Sequence, residues 1–169
     1  MHSQSKNLIA LVFATILLQA CNQQTDPAAK AQTDAVKIQA DVAKAEADGQ
    51  KKIVDAQAKL DQVVAQNNKD LVGVQADAQK DAVSNPNAPT AAASADIAKA
   101  HTNAEIKIAD AQYDVDKAKA AAAEQVADAR CQSQLGDANK ACVTNAKTTY
   151  ESALAMAKAK NDAVHAAHQ

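Results

Sequence analysis

Between Ile38 and Leu71 the apolar and small residues fall on one line: Ile38, Val42, Ala45, Gly49, Ile53, Ala56, Leu60, Val64 and Leu71. Steps of four, three and four close every eleven residues. Such a repeat holds one stripe facing one way on a helix that is straight or supercoiled slightly to the right. Asp26-Pro27 reads as the start of this helix, with Asp as cap and Pro at the first helical position. Nothing breaks the pattern strongly before about Ala82, and Gly49 and Gly73 only weaken it. SNPNAPT, Ser84 to Thr90, then stops the helix with two prolines and two asparagines. A second helix is expected from about Ser94 to Cys131. Its line is Ile97, His101, Ala104, Ile108, Ala111, Val115, Ala118, Ala122 and Ala129, with Val126 close by. The spacing there is heptad-like with Ala at most of one set, which suits close antiparallel packing and puts His101 at the seam. A third helix is expected from Asp137 or Ala138 to Ala166, with a face that includes Val143, Ala146, Tyr150, Ala153, Leu154, Ala157 and Val164. The expected fold class is therefore all-α and elongated: a long first helix plus an antiparallel helical hairpin, coiled-coil-like in its packing. At about 1.5 Å per residue the first helix alone is roughly 80 Å long.

The chain also repeats itself. ADVAKAEADGQKKIVDAQAKLDQ, Ala40 to Gln62, and ADIAKAHTNAEIKIADAQYDVDK, Ala95 to Lys117, are identical at 11 of 23 positions at an offset of 55, five elevens. The shared K-I-x-D-A-Q-x-x-aliphatic-D is more than Ala meeting Ala, so the reading is a duplicated helical unit; compositional drift is the competing one.

Ahead of all this, Leu8 to Ala20 is a run of 13 apolar-rich residues that ends in Cys21. A membrane-spanning helix needs about 20. MHSQSKN in front carries the amino terminus and Lys6 as positive charges, and a small residue closes the run; together these make a secretory signal. Leu18-Gln19-Ala20-Cys21 resembles the lipobox of bacterial lipoproteins. The resemblance implies that the Cys21 thiol receives diacylglycerol, that the leader is cut before it, and that the new amino terminus is acylated. Each buried methylene then contributes about 0.8 kcal/mol, and more than one chain makes the anchor durable. Residue 22 is Asn rather than the Asp that commonly retains such proteins at the inner membrane, so the resemblance points to the outer membrane, with the body in the periplasm. The expected division is 1–20 signal, 21–27 lipidated tether, 28–83 long helix, 84–93 Pro/Asn linker and 94–169 helical hairpin.

Composition narrows the function. From Cys21 onward 17 basic and 20 acidic residues remain, a net charge of −3, too mild to imply nucleic acid or a strongly charged partner. The same stretch holds 41 Ala against four Leu and five Ile, and Tyr113 and Tyr150 are its only aromatics. Aromatic residues normally dominate a thick core. Ala is the best helix former and occupies little space, so this chain is suited to thin, closely packed helices rather than to an enzyme fold.

Cys131 and Cys142 flank QSQLGDANKA, with the turn signal Gly136-Asp137 at its centre. Gly is expected to end one helix and Asp to cap the next. Cys131 lies five residues before Gly136 and Cys142 five after Asp137, and equivalent positions across a tight helical hairpin face each other. In an exported protein that pair is expected to be a disulfide. A closed loop of about twelve residues contributes nearly 3 kcal/mol in the chain-entropy model. The competing readings are a redox pair, which favours Cys-x-x-Cys, and a zinc site, which would lack its other ligands nearby. The segment CQSQLGDANKACVTNAKTTYESALAMAKAK resembles the carboxy-terminal unit of small Ala-rich exported proteins of proteobacteria, loosely described as envelope or Tol-like. The similarity spans about Ala109 to Lys160 and implies architecture and compartment, not an activity.

Other chemistry is sparse. His165 and His168 share a helix face but are read as surface residues rather than metal ligands. His101 has no recognisable nucleophile partner. The Asp and Lys residues three or four apart are solvated helix pairs, and the three glycines are scattered rather than forming a phosphate loop. The sequence thus leads to a non-catalytic structural or scaffolding element of the envelope, with no cofactor or metal and no small-molecule substrate. Its partners are the lipid bilayer through Cys21 and either a second copy or an envelope protein. The rival expectation is a desiccation- or stress-protective protein that folds on drying or on a membrane.

Overall fold

The computed structural model describes residues 27–84 and 90–169; the signal, Cys21 and most of the Pro/Asn break lie outside the described residues. Three helices account for the fold: α1 (Pro27–Ser84), α2 (Thr90–Cys131) and α3 (Gly136–Ala167). They have 58, 42 and 32 residues, or about 87, 63 and 48 Å at 1.5 Å per residue. The central element is α2, which packs against α1 on one side and α3 on the other, while α1 and α3 do not meet. No described helix is long and apolar enough to cross a membrane.

Around the Pro/Asn break the boundaries differ from expectation on both sides. Helix α2 begins at Thr90, not Ser94: Ala91 to Ala93 form helix readily once the prolines have passed. Helix α1 runs through Ser84, so the break is shorter than 84–93.

The α1 stripe faces α2 along its length. Gly49 and Leu60 are buried, and Ile38, Val42, Ala45, Ile53, Ala56, Val64 and Leu71 are half-buried. One member was missed: Asn67, 3% exposed, whose Nδ2 donates to the Ala104 carbonyl at 3.1 Å. The step of three after Val64 lands on it, but a search for apolar residues passes over an amide. On α2 the buried line holds Ala104, Val115, Ala122 and Ala129. His101, expected at the seam, is exposed, and half-buried Ala100 takes its place. The heptad extrapolation failed there because the eleven-residue spacing still governs: Ala100 is Ala45 shifted by 55.

Two contacts fix the register. Gly49 lies against Ala122, and Asn67 against Ala104. Eighteen residues forward along α1 are matched by eighteen backward along α2. Eighteen residues are five turns at about 3.6 per turn, so the same faces return with almost no rotation and the pair runs nearly straight.

The duplication and this register describe one symmetry. Shifting the α1 stripe by 55 gives positions 93, 97, 100, 104, 108, 111, 115, 119, 122 and 126, all buried or half-buried on α2 except exposed Lys119. The same shift turns Gly49 and Ala122 into Ala104 and Asn67, the other fixed contact. The α1–α2 hairpin is thus pseudo-two-fold about the level of residues 58 and 113, and the two copies of the repeat bury the same face against each other.

The seam is thin. Among the described residues six of the nine buried hydrophobic ones are Ala, with Leu60, Val115 and Cys131 as the others. Small side chains let the helices close up, most of all at Gly49, where an added Cβ would lie 2.7 Å from that of Ala122. Stability therefore comes from many short contacts, each worth little, rather than from a few side chains worth about 1.5–3 kcal/mol apiece.

Candidate functional site

The rod has two unlike ends. At one, α1 enters, with residues 28–37 all exposed and extending past the end of α2. The α2–α3 turn lies at the same end. Helix α3 runs back along α2 only as far as Glu105, where His168 meets it. Beyond that level α1 and α2 continue alone toward the break at 85–89, so the rod is three helices wide at one end and two at the other.

The three-helix end is closed covalently. Cys131 and Cys142 form a disulfide with a Cα–Cα distance of 5.6 Å, and Cys131 is fully buried. Helix α2 ends in hydrogen bonds of the tightened type: the amides of Gln132, Ser133 and Gln134 donate to the carbonyls of Ala129, Arg130 and Cys131. The Ser133 hydroxyl also donates to the Arg130 carbonyl at 2.8 Å, and Asn139 Nδ2 donates to that of Cys131 at 2.7 Å. These side chains give the Arg130 and Cys131 carbonyls a second donor beside the backbone amides at the helix end.

The turn differs in detail from expectation. Gly136 does not end α2. It opens α3, at φ +59°, a conformation that favours Gly because it has no Cβ. Asp137 does not cap α3; the cap position is Leu135, in extended backbone and with no side-chain hydrogen bond. Asp137 sits in the first turn instead, fully exposed and 3.4 Å from Lys140, where its charge suits the positive end of the helix dipole. Leu135 is 87% exposed, beside a shallow depression shared with Ala31, Ala35 and Ile38 of α1.

The two carboxy-terminal histidines do not act together. His165 Nε2 lies 2.8 Å from Asp110 Oδ1, and His168 Nε2 lies 2.8 Å from Glu105 Oε2. Each thus ties α3 to α2 through its own carboxylate, and both are half-buried rather than free on the surface. Asn161 Nδ2 donates to the same Asp110 oxygen at 3.0 Å. The hydrogen bond from His165 holds the Asp110 carboxyl below its usual value, with Asn161 adding to the effect and partial desolvation opposing it. The sequence offered no signal for Asp110 and Glu105, because they lie about sixty residues from their partners and meet them only through the α2–α3 hairpin. No three His, Cys, Asp or Glu side chains converge on a metal-sized site among the described residues.

Further along, Arg130 donates to Glu46 at 3.1 Å and Lys52 donates to Gln125 at 3.4 Å, both linking α1 to α2 on exposed faces. Ile53, Ala122, Ala123, Val126 and Cys142 line an open groove between α1 and α3 above α2. Among the described residues the helices and the stapled turn leave shallow surface grooves. No known family model, no curated protein and no solved structure matches this chain.

Proposed function

We propose that this chain is a lipoprotein of the bacterial outer membrane, held by acyl chains on Cys21, and that its body is a non-catalytic structural or scaffolding element of the cell envelope. The observation that carries the reading is the disulfide at the end of the rod where α1 enters. Such a bond persists in oxidising compartments, which fits the export signal and the lipobox-like Leu18-Gln19-Ala20-Cys21. A long, thin, stapled rod supports a mechanical or adaptor role through its helix faces, with the bilayer as one partner and a second copy or an envelope protein as the other.

The test is metabolic labelling with radioactive palmitate in a Gram-negative host, followed by separation of inner and outer membranes. The native chain should take up label and sediment with the outer membrane, and Cys21→Ser should do neither. An unlabelled native chain recovered in the soluble fraction would overturn the anchoring. The thin, Ala-dominated seam supports a second reading, a protective protein that folds on drying or on lipid. Circular dichroism of the chain in dilute buffer separates the two: high helicity with a cooperative melt favours the scaffold, and low helicity that rises steeply on drying favours protection.

A further inference from the structure

The duplication exposes a face of α1 that the hairpin leaves uncovered. Val36, Val54 and Val72 are 66%, 54% and 65% exposed. They are eighteen residues apart, five helical turns, and so lie in one straight line. The positions nearest that line between them, 40, 43, 47, 50, 58, 61, 65 and 68, are Ala, Gln or Asn except Asp61, with Lys51 and Lys69 along one edge. Shifted by 55, Val54 becomes Ala109 and Val72 becomes Ala127, with Ala65 between them becoming buried Ala120. On α2 this is the line that α3 covers: Ala109 lies with Val164 of α3 and with His168 just after it, and Ala127 with Cys142. From Val54 to Val72 helix α1 thus carries the pseudo-symmetric counterpart of a helix-docking face, with Val at two positions where α2 has Ala, and α3 does not reach it; Val36 extends the same line beyond that stretch.

We infer that a second copy of this chain docks on this face, α1 against α1 in antiparallel orientation, with Val54 on the two-fold axis. The valines are placed for it: Val36 and Val72 are equidistant from Val54, so each meets the other in the partner. Antiparallel pairing also sets Asp61 opposite the partner's Ala47, whereas parallel pairing would set two Asp61 carboxylates together. It repeats between chains the straight antiparallel contact that α1 and α2 make within one. The overlap from Val36 to Val72 is about 54 Å long and about 10 Å wide, a helix spacing. That is about 540 Å² per helix and about 1,100 Å² in all, the lower bound of a specific interface. The inference rests on the duplication and not on the anchor. If both chains are also anchored, their starts leave from opposite ends, and a pair in one bilayer would lie along it.

The test uses the full chain purified in mild detergent and followed by sedimentation velocity. A dimer is expected, and Val54→Lys should weaken it about tenfold or more while its helical content by circular dichroism stays that of the native chain, because residue 54 is exposed in the single chain; its melt should fall only at concentrations where the native chain is dimeric. Val143→Lys on α3, also at an exposed valine, should leave the dimer intact. For orientation, Val54→Cys chains should crosslink under mild oxidation. Val36→Cys should crosslink to Val72→Cys when the two are mixed and not to itself. A monomer at all concentrations, a dimer indifferent to Val54→Lys, or Val36→Cys joined to itself would overturn the inference. So would a monomer that binds phospholipid vesicles through Val54, since the face would then be a lipid-docking one. Failure of palmitate labelling would leave this result untouched.

Discussion

The two helical glycines of α1 make a matched experiment on how closely the helices approach. At Gly73 an added Cβ meets nothing within 4 Å; at Gly49 it would meet the Ala122 Cβ at 2.7 Å and its Cα at 3.3 Å. Carbon atoms rest at about 3.5–4.0 Å, and Ala122 has no flexible end to swing away. Gly49→Ala therefore requires the helices to separate locally by about 1 Å. Both substitutions gain about 0.8–1.0 kcal/mol of helix propensity. Only Gly49→Ala meets the overpacking cost, about 1–3 kcal/mol. Gly73→Ala should thus stabilise by nearly 1 kcal/mol, and Gly49→Ala should be neutral to about 2 kcal/mol destabilising. The assay is urea unfolding followed at 222 nm. Adding Ala122→Gly closes a double-mutant cycle: removing the opposed methyl should recover the overpacking cost as a coupling of about 1–3 kcal/mol. If Gly49→Ala stabilises as much as Gly73→Ala, the helices do not close at this level and the register that sets Gly49 on Ala122 is wrong.

Three further outcomes follow from the same contacts. Reducing the Cys131–Cys142 bond should cost α3 nearly 3 kcal/mol, so hydrogen exchange of α3 amides should speed up about a hundredfold while core amides of α1 and α2 change little; equal acceleration in all three helices would refute separate docking of α3. At the buried amide, Asn67→Ala should cost about 1 kcal/mol, and Asn67→Asp roughly 2–4 kcal/mol at neutral pH by setting a charge against the Ala104 carbonyl. If urea unfolding shows the two variants equal, the amide does not point into the seam. The Asp110 carboxyl is held below its ordinary value of 3.8 by His165, so its contribution is fully present above that value and is lost as pH falls through the lower, folded one. Urea midpoints of the native chain and Asp110→Asn should therefore converge as pH falls below 3.8, and profiles that stay parallel would show that the His165 contact carries no stability.

What the sequence determined by itself is the helical rod and its staple. Helices were legible because period and propensity act locally: an eleven-residue stripe over 41 Ala leaves the backbone no competing pattern. The Cys131–Cys142 pair was legible because a tight hairpin relates positions by counting outward from its turn. Details of the turn were not, since whether Asp137 caps or merely enters the first turn depends on backbone angles that residue type only biases. Tertiary structure alone decided the rest. The pairing of α1 with α2 selects Asn67 and Ala100 for the seam and leaves His101 outside. The meeting of α3 with α2 brings His165 to Asp110 and His168 to Glu105 across more than fifty residues. A repeat visible in the sequence became a pseudo-two-fold hairpin only when the register showed its two copies burying the same face. The reason is physical: a helix forms from its neighbours in sequence, but which of its faces is covered is fixed by the elements that reach it in space.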